Sequence, residues 1–194
     1  MHKYVIIGPQ GSGKSTQSRL LASRFDFVHI SIGDIIRWHL EQRTKLASRI
    51  RVILDSGNLI PDEVVMDVVR RRLRQHDWNY GFVLDGFPRT RAQADFLWQN
   101  WDIDQVIYID VPDDITFKRV LAMGRAGWGS GYTKRAYAHP DAVRRRIQDY
   151  HRLTKPMLEL YGHLGILTHI EGNHSISGIF ARITRALQLI EGPV

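Results

Sequence analysis

Gly8-Pro9-Gln10-Gly11-Ser12-Gly13-Lys14-Ser15-Thr16 follows directly on the apolar run Tyr4-Val5-Ile6-Ile7 and matches G-x-x-x-x-G-K-[ST] in full. The run before it reads as a buried strand, and residues 17–25 continue as a helix with Leu21 and Phe25 one turn apart, so the glycines fall at a strand-to-helix turn. A glycine-rich chain curls there until successive N–H groups point inward at an anion, and the following helix adds its positive end. In this pattern Lys14 reaches the β- and γ-phosphates of a nucleotide, and Ser15 offers its hydroxyl to Mg2+. The rival reading, a glycine-rich turn that binds nothing, leaves the complete pattern in its required context unexplained.

Outward from this loop, strand-like and helix-like stretches alternate. Strands are expected at 28–31, 81–85, 106–111 and 166–170, and helices at 34–42, 46–56, 63–74, 90–101, 113–123 and 176–190. Pro140 and Asp141 open one long helix, which Pro156 kinks and Gly162 ends. Continuous apolar strands separated by helices predict an α/β fold of the P-loop NTPase type, a parallel sheet with helices on both faces. Ligands of such sheets bind at the C-terminal strand edge, where the glycine loop, Ser31 and Asp85 emerge.

Composition bounds the rest. The 194 residues, 43% apolar and 24% charged, fit one domain with one sizeable core. Absence of cysteine excludes disulfides, thiolate zinc sites and thiol nucleophiles. The first strand begins too early for a signal peptide, and no apolar run approaches the roughly 18 residues of a membrane span, so a cytoplasmic protein without membrane contact is expected. The net charge of +7 is carried mostly by arginine, whose planar fork suits several phosphoryl groups. Nucleic acid is the other reading of that charge, but the arginines are scattered, and Arg70, Arg71, Arg72 and Arg74 fall late in a helix, where cations suit its C-terminal dipole.

Asp85 ends a buried strand, where packing does not explain a carboxylate; holding the water shell of a phosphate-bridging Mg2+ does. Directly after it, Gly86-Phe87-Pro88-Arg89-Thr90 sets an arginine on a proline turn, placed to grip a second phosphate.

With these residues in view, the sequence resembles the adenylate kinase family of nucleoside monophosphate kinases across nearly its whole length. The glycine loop with Thr16-Gln17, His29-Ile30-Ser31-Ile32-Gly33-Asp34 with Arg37, Gly57-Asn58-Leu59-Ile60-Pro61-Asp62-Glu63, Leu84-Asp85-Gly86-Phe87-Pro88-Arg89-Thr90 with Gln93, and Val111-Pro112-Asp113-Asp114 occur in the family's order and near its spacing. The resemblance implies a single kinase domain with its core at 1–30, 61–123 and 139–194, a monophosphate-binding helical insert at 31–60 and a lid at 124–138. It implies transfer of the γ-phosphoryl of ATP, as the Mg2+ complex, to a nucleoside monophosphate, most often AMP, with Lys14, Arg89, Arg135 and Arg146 catalytic. ATP would be held by Gly11, Ser12, Gly13, Lys14, Ser15, Thr16, Arg119, Arg125 and His174. AMP would be held by Ser31, Ile32, Arg37, Asn58, Leu59, Ile60, Gly86, Phe87, Arg89, Gln93, Arg135 and Arg146, and Mg2+ by Ser15 and Asp85, largely through water, with no zinc.

The chain departs from the family at several of these places. Ile32 stands where threonine is usual, and is expected at the mouth of the acceptor site. Met123 stands where a second lid arginine is expected, with Arg125 two residues later; Arg125 replaces it only if the helix has ended near Ala122. The lid is glycine-rich and of unusual length, and Glu171-Gly172-Asn173-His174 replaces a more usual turn near the ATP base. A monomeric adenylate kinase-like enzyme is therefore expected. A kinase for UMP, CMP or another monophosphate, a nucleotide-binding regulatory protein with little turnover, and a nucleic-acid-binding protein remain as alternatives.

Overall fold

Five parallel strands, β1 (Lys3–Ile7), β2 (Val28–Ser31), β3 (Phe82–Asp85), β4 (Gln105–Asp110) and β5 (Leu167–Glu171), lie in the order β2-β3-β1-β4-β5. The computed structural model describes residues 2–55, 60–125 and 139–189. Every residue of β3 and all but the first of β1 are buried, as continuous runs of Val, Ile, Leu and Phe require when both faces of a sheet are covered. Alternate side chains go to opposite faces. Val5, Ile7, Leu84, Val106 and Tyr108 join a core beneath α4 (Asp62–Arg74), α5 (Arg91–Asn100) and the segment that ends in α8 (Met157–His163). Tyr4, Ile6, Val83, Ile107 and Ile109 join a second core beneath α1 (Lys14–Phe25) and α9 (Ile176–Ala186).

Two helices, α2 (Ile32–Glu41) and α3 (Lys45–Asp55), follow β2 before the chain returns at residue 60. The Ser31 side chain caps α2 by accepting from Asp34 N–H (3.2 Å), and Thr90 and Ser175 cap α5 and α9 in the same way. Among the described residues, no helix is long and apolar enough to cross a membrane.

The structure differs from the sequence-based expectation in two helices. The single helix expected beyond Pro140 is broken into α7 (Pro140–Asp149), a π-helical turn (Tyr150–Thr154) and α8. Pro156 has no N–H and crowds the preceding turn, so the ladder widens just before it, with Lys155 N–H donating to Tyr150 C=O (2.9 Å). Helix α6 (Asp113–Arg125) runs through Gly124 instead of ending near Ala122. Gly124 lies on the buried stripe that includes Val120 and Thr116, four and eight residues earlier, and so serves packing rather than termination. Residues 124 and 125 therefore belong to α6, and the remainder of the expected lid lies outside the described residues, as do Asn58, Leu59 and Arg135.

Candidate active site

The glycine loop leaves β1 and enters α1 through Gly13, whose φ of +94° is a left-handed conformation that side chains rarely adopt. Lys14 then begins α1 and bends back, its ammonium donating to Gly8 C=O (2.8 Å) and Pro9 C=O (2.7 Å). Close packing of the loop lowers the Lys14 pKa to about 8; the Asp85 charge opposes that shift and the Arg89 charge adds to it. Arg89 is thus near enough for its field to act on Lys14, and two cations facing one gap make an anion site.

Register brings the carboxylate to the loop. Asp85 pairs with Ile6 on β1 and with Ser31 on β2, so it emerges beside both strand ends. Ser15 Oγ donates to Asp85 Oδ2 (2.5 Å), and His29 Nε2 stands 3.7 Å from the same oxygen, beyond ordinary hydrogen-bond distance. Burial, with 3% exposure, by itself raises the Asp85 pKa; His29, Lys14 and Ser15 outweigh it and hold the carboxyl below its ordinary value.

One residue beyond Asp85 the backbone turns at Gly86, with φ +81°. A Cβ placed there would lie 3.3 Å from Arg89 Nη2 and 3.8 Å from Gly33 N, and a Cβ on Gly33 would lie 3.3 Å from Arg37 Nη1. Both guanidinium groups therefore border one glycine-lined corner. Arg89 Nε donates to Gly86 C=O (2.9 Å), and Arg37 is hydrogen-bonded to Asp34, which also lies 3.7 Å from Arg19. Burial alone raises Asp34; Arg37, Ser31 and Arg19 together lower it.

From the other side, Arg119 on α6 reaches Gly11 C=O (3.4 Å) and Gly172 C=O (3.5 Å), and Arg146 on α7 donates to Gln10 Oε1 (3.0 Å). Five of the expected cations, Lys14, Arg37, Arg89, Arg119 and Arg146, thus engage the glycine loop or the corner beside it.

An adenylate kinase family model matches residues 6–166. The chain belongs to the adenylate kinase family. Relatives named adenylate kinase align over almost the full length: that of Clostridium beijerinckii is 33% identical over 211 residues, 95% of this chain and 98% of its own. Those of Cyanothece sp. (33%; 99% and 98%) and Stenotrophomonas maltophilia (34%; 96% and 99%) agree as closely. As a member of the adenylate kinase family, the chain is a phosphotransferase of the nucleoside monophosphate kinase class.

In this adenylate kinase fold several side chains named from the sequence are buried or engaged within the protein. Ile32 is 1% exposed and packs in the core with Phe87, which is equally buried, so neither side chain stands at the mouth of a site. Ile32 is the first residue of α2, directly after the capping residue Ser31, and its side chain is part of the core. Ile60 is half-buried against the same core. Gln93 is 4% exposed, its Oε1 accepting from Arg89 N–H (2.8 Å) and its Nε2 donating to Asp62 (2.7 Å). Arg125, exposed on the last turn of α6, does not follow a helix end, and His174 pairs with Glu171 (3.1 Å) in the turn after β5. Sequence reasoning missed Gln10, Asp62 and Thr154. In the sequence Asp62 stands out only as part of the 57–63 stretch, and nothing local marks Thr154, whose partner Arg89 lies 65 residues away.

Proposed function

We propose that the chain catalyses ATP + AMP = 2 ADP in the cytoplasm, as a monomer that binds no nucleic acid. The observation that carries this reading is the pair of phosphate-gripping centres on adjacent strand ends, Lys14 with Ser15 and Asp85 at one and Arg37 with Arg89 at the other. Gly11, Ser12, Gly13 and Thr16 line the donor's phosphates, and Lys14 follows the charge on the γ-phosphoryl as it moves toward the acceptor. Arg37 and Arg89 hold the acceptor phosphate, Arg119 serves the donor, and Arg135 and Arg146 stabilise the charge spread over the transferring phosphoryl. Gly86 lines the corner in which that acceptor sits.

Ser15 and Asp85 offer a hydroxyl and a buried carboxylate, an oxygen-only pair that suits a hard cation. Mg2+ held there by Ser15 and Asp85, largely through water, would supply positive charge against the phosphates. No protein atom forms a covalent bond to the phosphoryl group. The chain's work is alignment, charge stabilisation and exclusion of water.

A coupled assay of ADP formation with AMP, GMP, CMP and UMP at saturating Mg2+ and ATP tests the reading. AMP should give the highest kcat/KM. Faster turnover on UMP or CMP would reassign the acceptor, and nucleotide binding without turnover on any of the four would make the chain a regulatory binder.

A further inference from the structure

Arg89 is held through its backbone from both sides. Its N–H donates to Gln93 Oε1 (2.8 Å), and its C=O accepts from Thr154 Oγ1 (2.9 Å) in the π-helical turn. Behind Gln93 stands Asp62, the first residue of α4, where the chain returns from α2 and α3. Its Oδ1 accepts from Gln93 Nε2 (2.7 Å), and its Oδ2 from Thr90 Oγ1 (2.6 Å). Thr90 in turn caps α5 by accepting from Gln93 N–H (3.3 Å). This is a capping box whose glutamine reaches one residue further back, to Arg89 instead of to the capping residue.

The chemistry of the network dictates its orientation. A carboxylate accepts only, so Asp62 forces the Gln93 amide to turn its NH2 inward and its oxygen toward Arg89 N–H. An asparagine at 62 could offer an NH2 instead, the amide could rotate, and Arg89 N–H would then meet a donor. On the other side, the widened π turn before Pro156 brings the Thr154 hydroxyl to the Arg89 carbonyl. Gln93 and Thr154 are both buried, so water competes little for these bonds.

We propose that Asp62, acting through Gln93, and Thr154, acting directly, are positioning residues that aim the Arg89 guanidinium at the acceptor phosphate. The proposal rests on the reading of Arg89 as a phosphate clamp. It ties that clamp to the return of the 31–60 insert through Asp62. It ties it also, through the π turn, to the helix that carries Arg146. Misplacing a gripping group by about 1 Å costs up to roughly 100-fold in rate, far more than the loss of one solvent-exposed contact.

The test compares Thr154→Val, Thr154→Ser and Asp62→Asn in the full chain, with and without Arg89→Ala, by steady-state kinetics and thermal unfolding. Thr154→Val and Asp62→Asn should each lower kcat/KM for AMP by roughly 10- to 100-fold, leave KM for ATP within about twofold, and keep a cooperative melt. Thr154→Ser, which retains the hydroxyl, should restore most of the activity. In the Arg89→Ala background neither substitution should lower kcat/KM further. Wild-type kcat/KM in Thr154→Val, or a full additional loss on top of Arg89→Ala, would overturn the proposal. If Asp62→Asn fails to fold, the Thr154 pair decides alone. If the wild type phosphorylates no monophosphate, or Arg89→Ala is as active as wild type, the underlying clamp reading fails instead.

Discussion

At the scale of single residues, the shift at Lys14 bears most directly on phosphate binding. Its ammonium must be charged to meet phosphate, yet the packed loop brings its pKa down to about 8. In the free enzyme, kcat/KM for ATP should therefore fall as pH rises through about 8, as the protonated form is lost. Bound phosphates favour the charged form, so the matching fall in kcat should lie at higher pH. A kcat/KM profile flat to about pH 9.5 would show that the loop leaves Lys14 near the ordinary lysine pKa. Replacing it, Lys14→Ala, should cost about 10²–10³ in kcat, because its donors are aimed at charge that develops during transfer. Ile32 makes the opposite case. Set among Phe87, Val65 and Val69 in the core, it has no free face to offer a base. Ile32→Thr should then act on stability, burying a hydroxyl at a cost of about 1–3 kcal/mol, with a drop in Tm by calorimetry and little change in acceptor preference. Improved discrimination for AMP at unchanged Tm would place Ile32 in the site after all.

At the scale of elements, α6 favours Arg119 over Arg125 as the arginine that serves the donor. Continuous helix from Asp113 to Arg125 turns Arg125 by roughly 200° from position 123, and Arg125 is exposed. Arg119 lies on the side facing the glycine loop, within reach of Gly11 and Gly172. Arg119→Ala should therefore raise KM for ATP by about tenfold or more, the effect of losing a charge-assisted contact of at least 1.5 kcal/mol, whereas Arg125→Ala should fall well short of that. Equal losses from the two would show that Arg125 reaches the nucleotide by way of the chain beyond α6. The broken helix around the π turn belongs to the same scale. Periodicity alone allows one kinked helix there, but a proline ring against the preceding turn and a threonine hydroxyl with a buried carbonyl to meet favour a widened turn.

For the whole molecule, three carboxylates set the acid limit of stability. Burial by itself raises Asp34, Asp85 and Asp110, but their hydrogen bonds and nearby cations, Tyr108 and His169 at Asp110 among them, hold each below its ordinary value. Folded values below the unfolded value of about 3.9 mean that this stabilisation is fully present above that pH and is lost as pH falls through the lower folded values. Urea midpoints followed by circular dichroism should accordingly fall steeply below about pH 4, and less steeply in Asp110→Asn; a midpoint unchanged down to pH 2 would show that these carboxylates are not linked to folding. The sequence by itself determined the fold class, the phosphate loop and the carboxylate at the tip of β3. Each of these is written in neighbouring residues: buried strands as apolar runs, the loop as glycines before a lysine, and Asp85 as a charge where a strand ends. Boundaries such as the end of α6, the burial of Ile32 and the hold on Arg89 were decided only by tertiary structure. Gly124 reads as a stop until packing makes it part of a buried stripe. Ile32 reads as part of a site until the fold sets its side chain in the core. Arg89 is aimed by Asp62 and Thr154, which lie 27 positions before it and 65 after it, and only the folded sheet brings those three together.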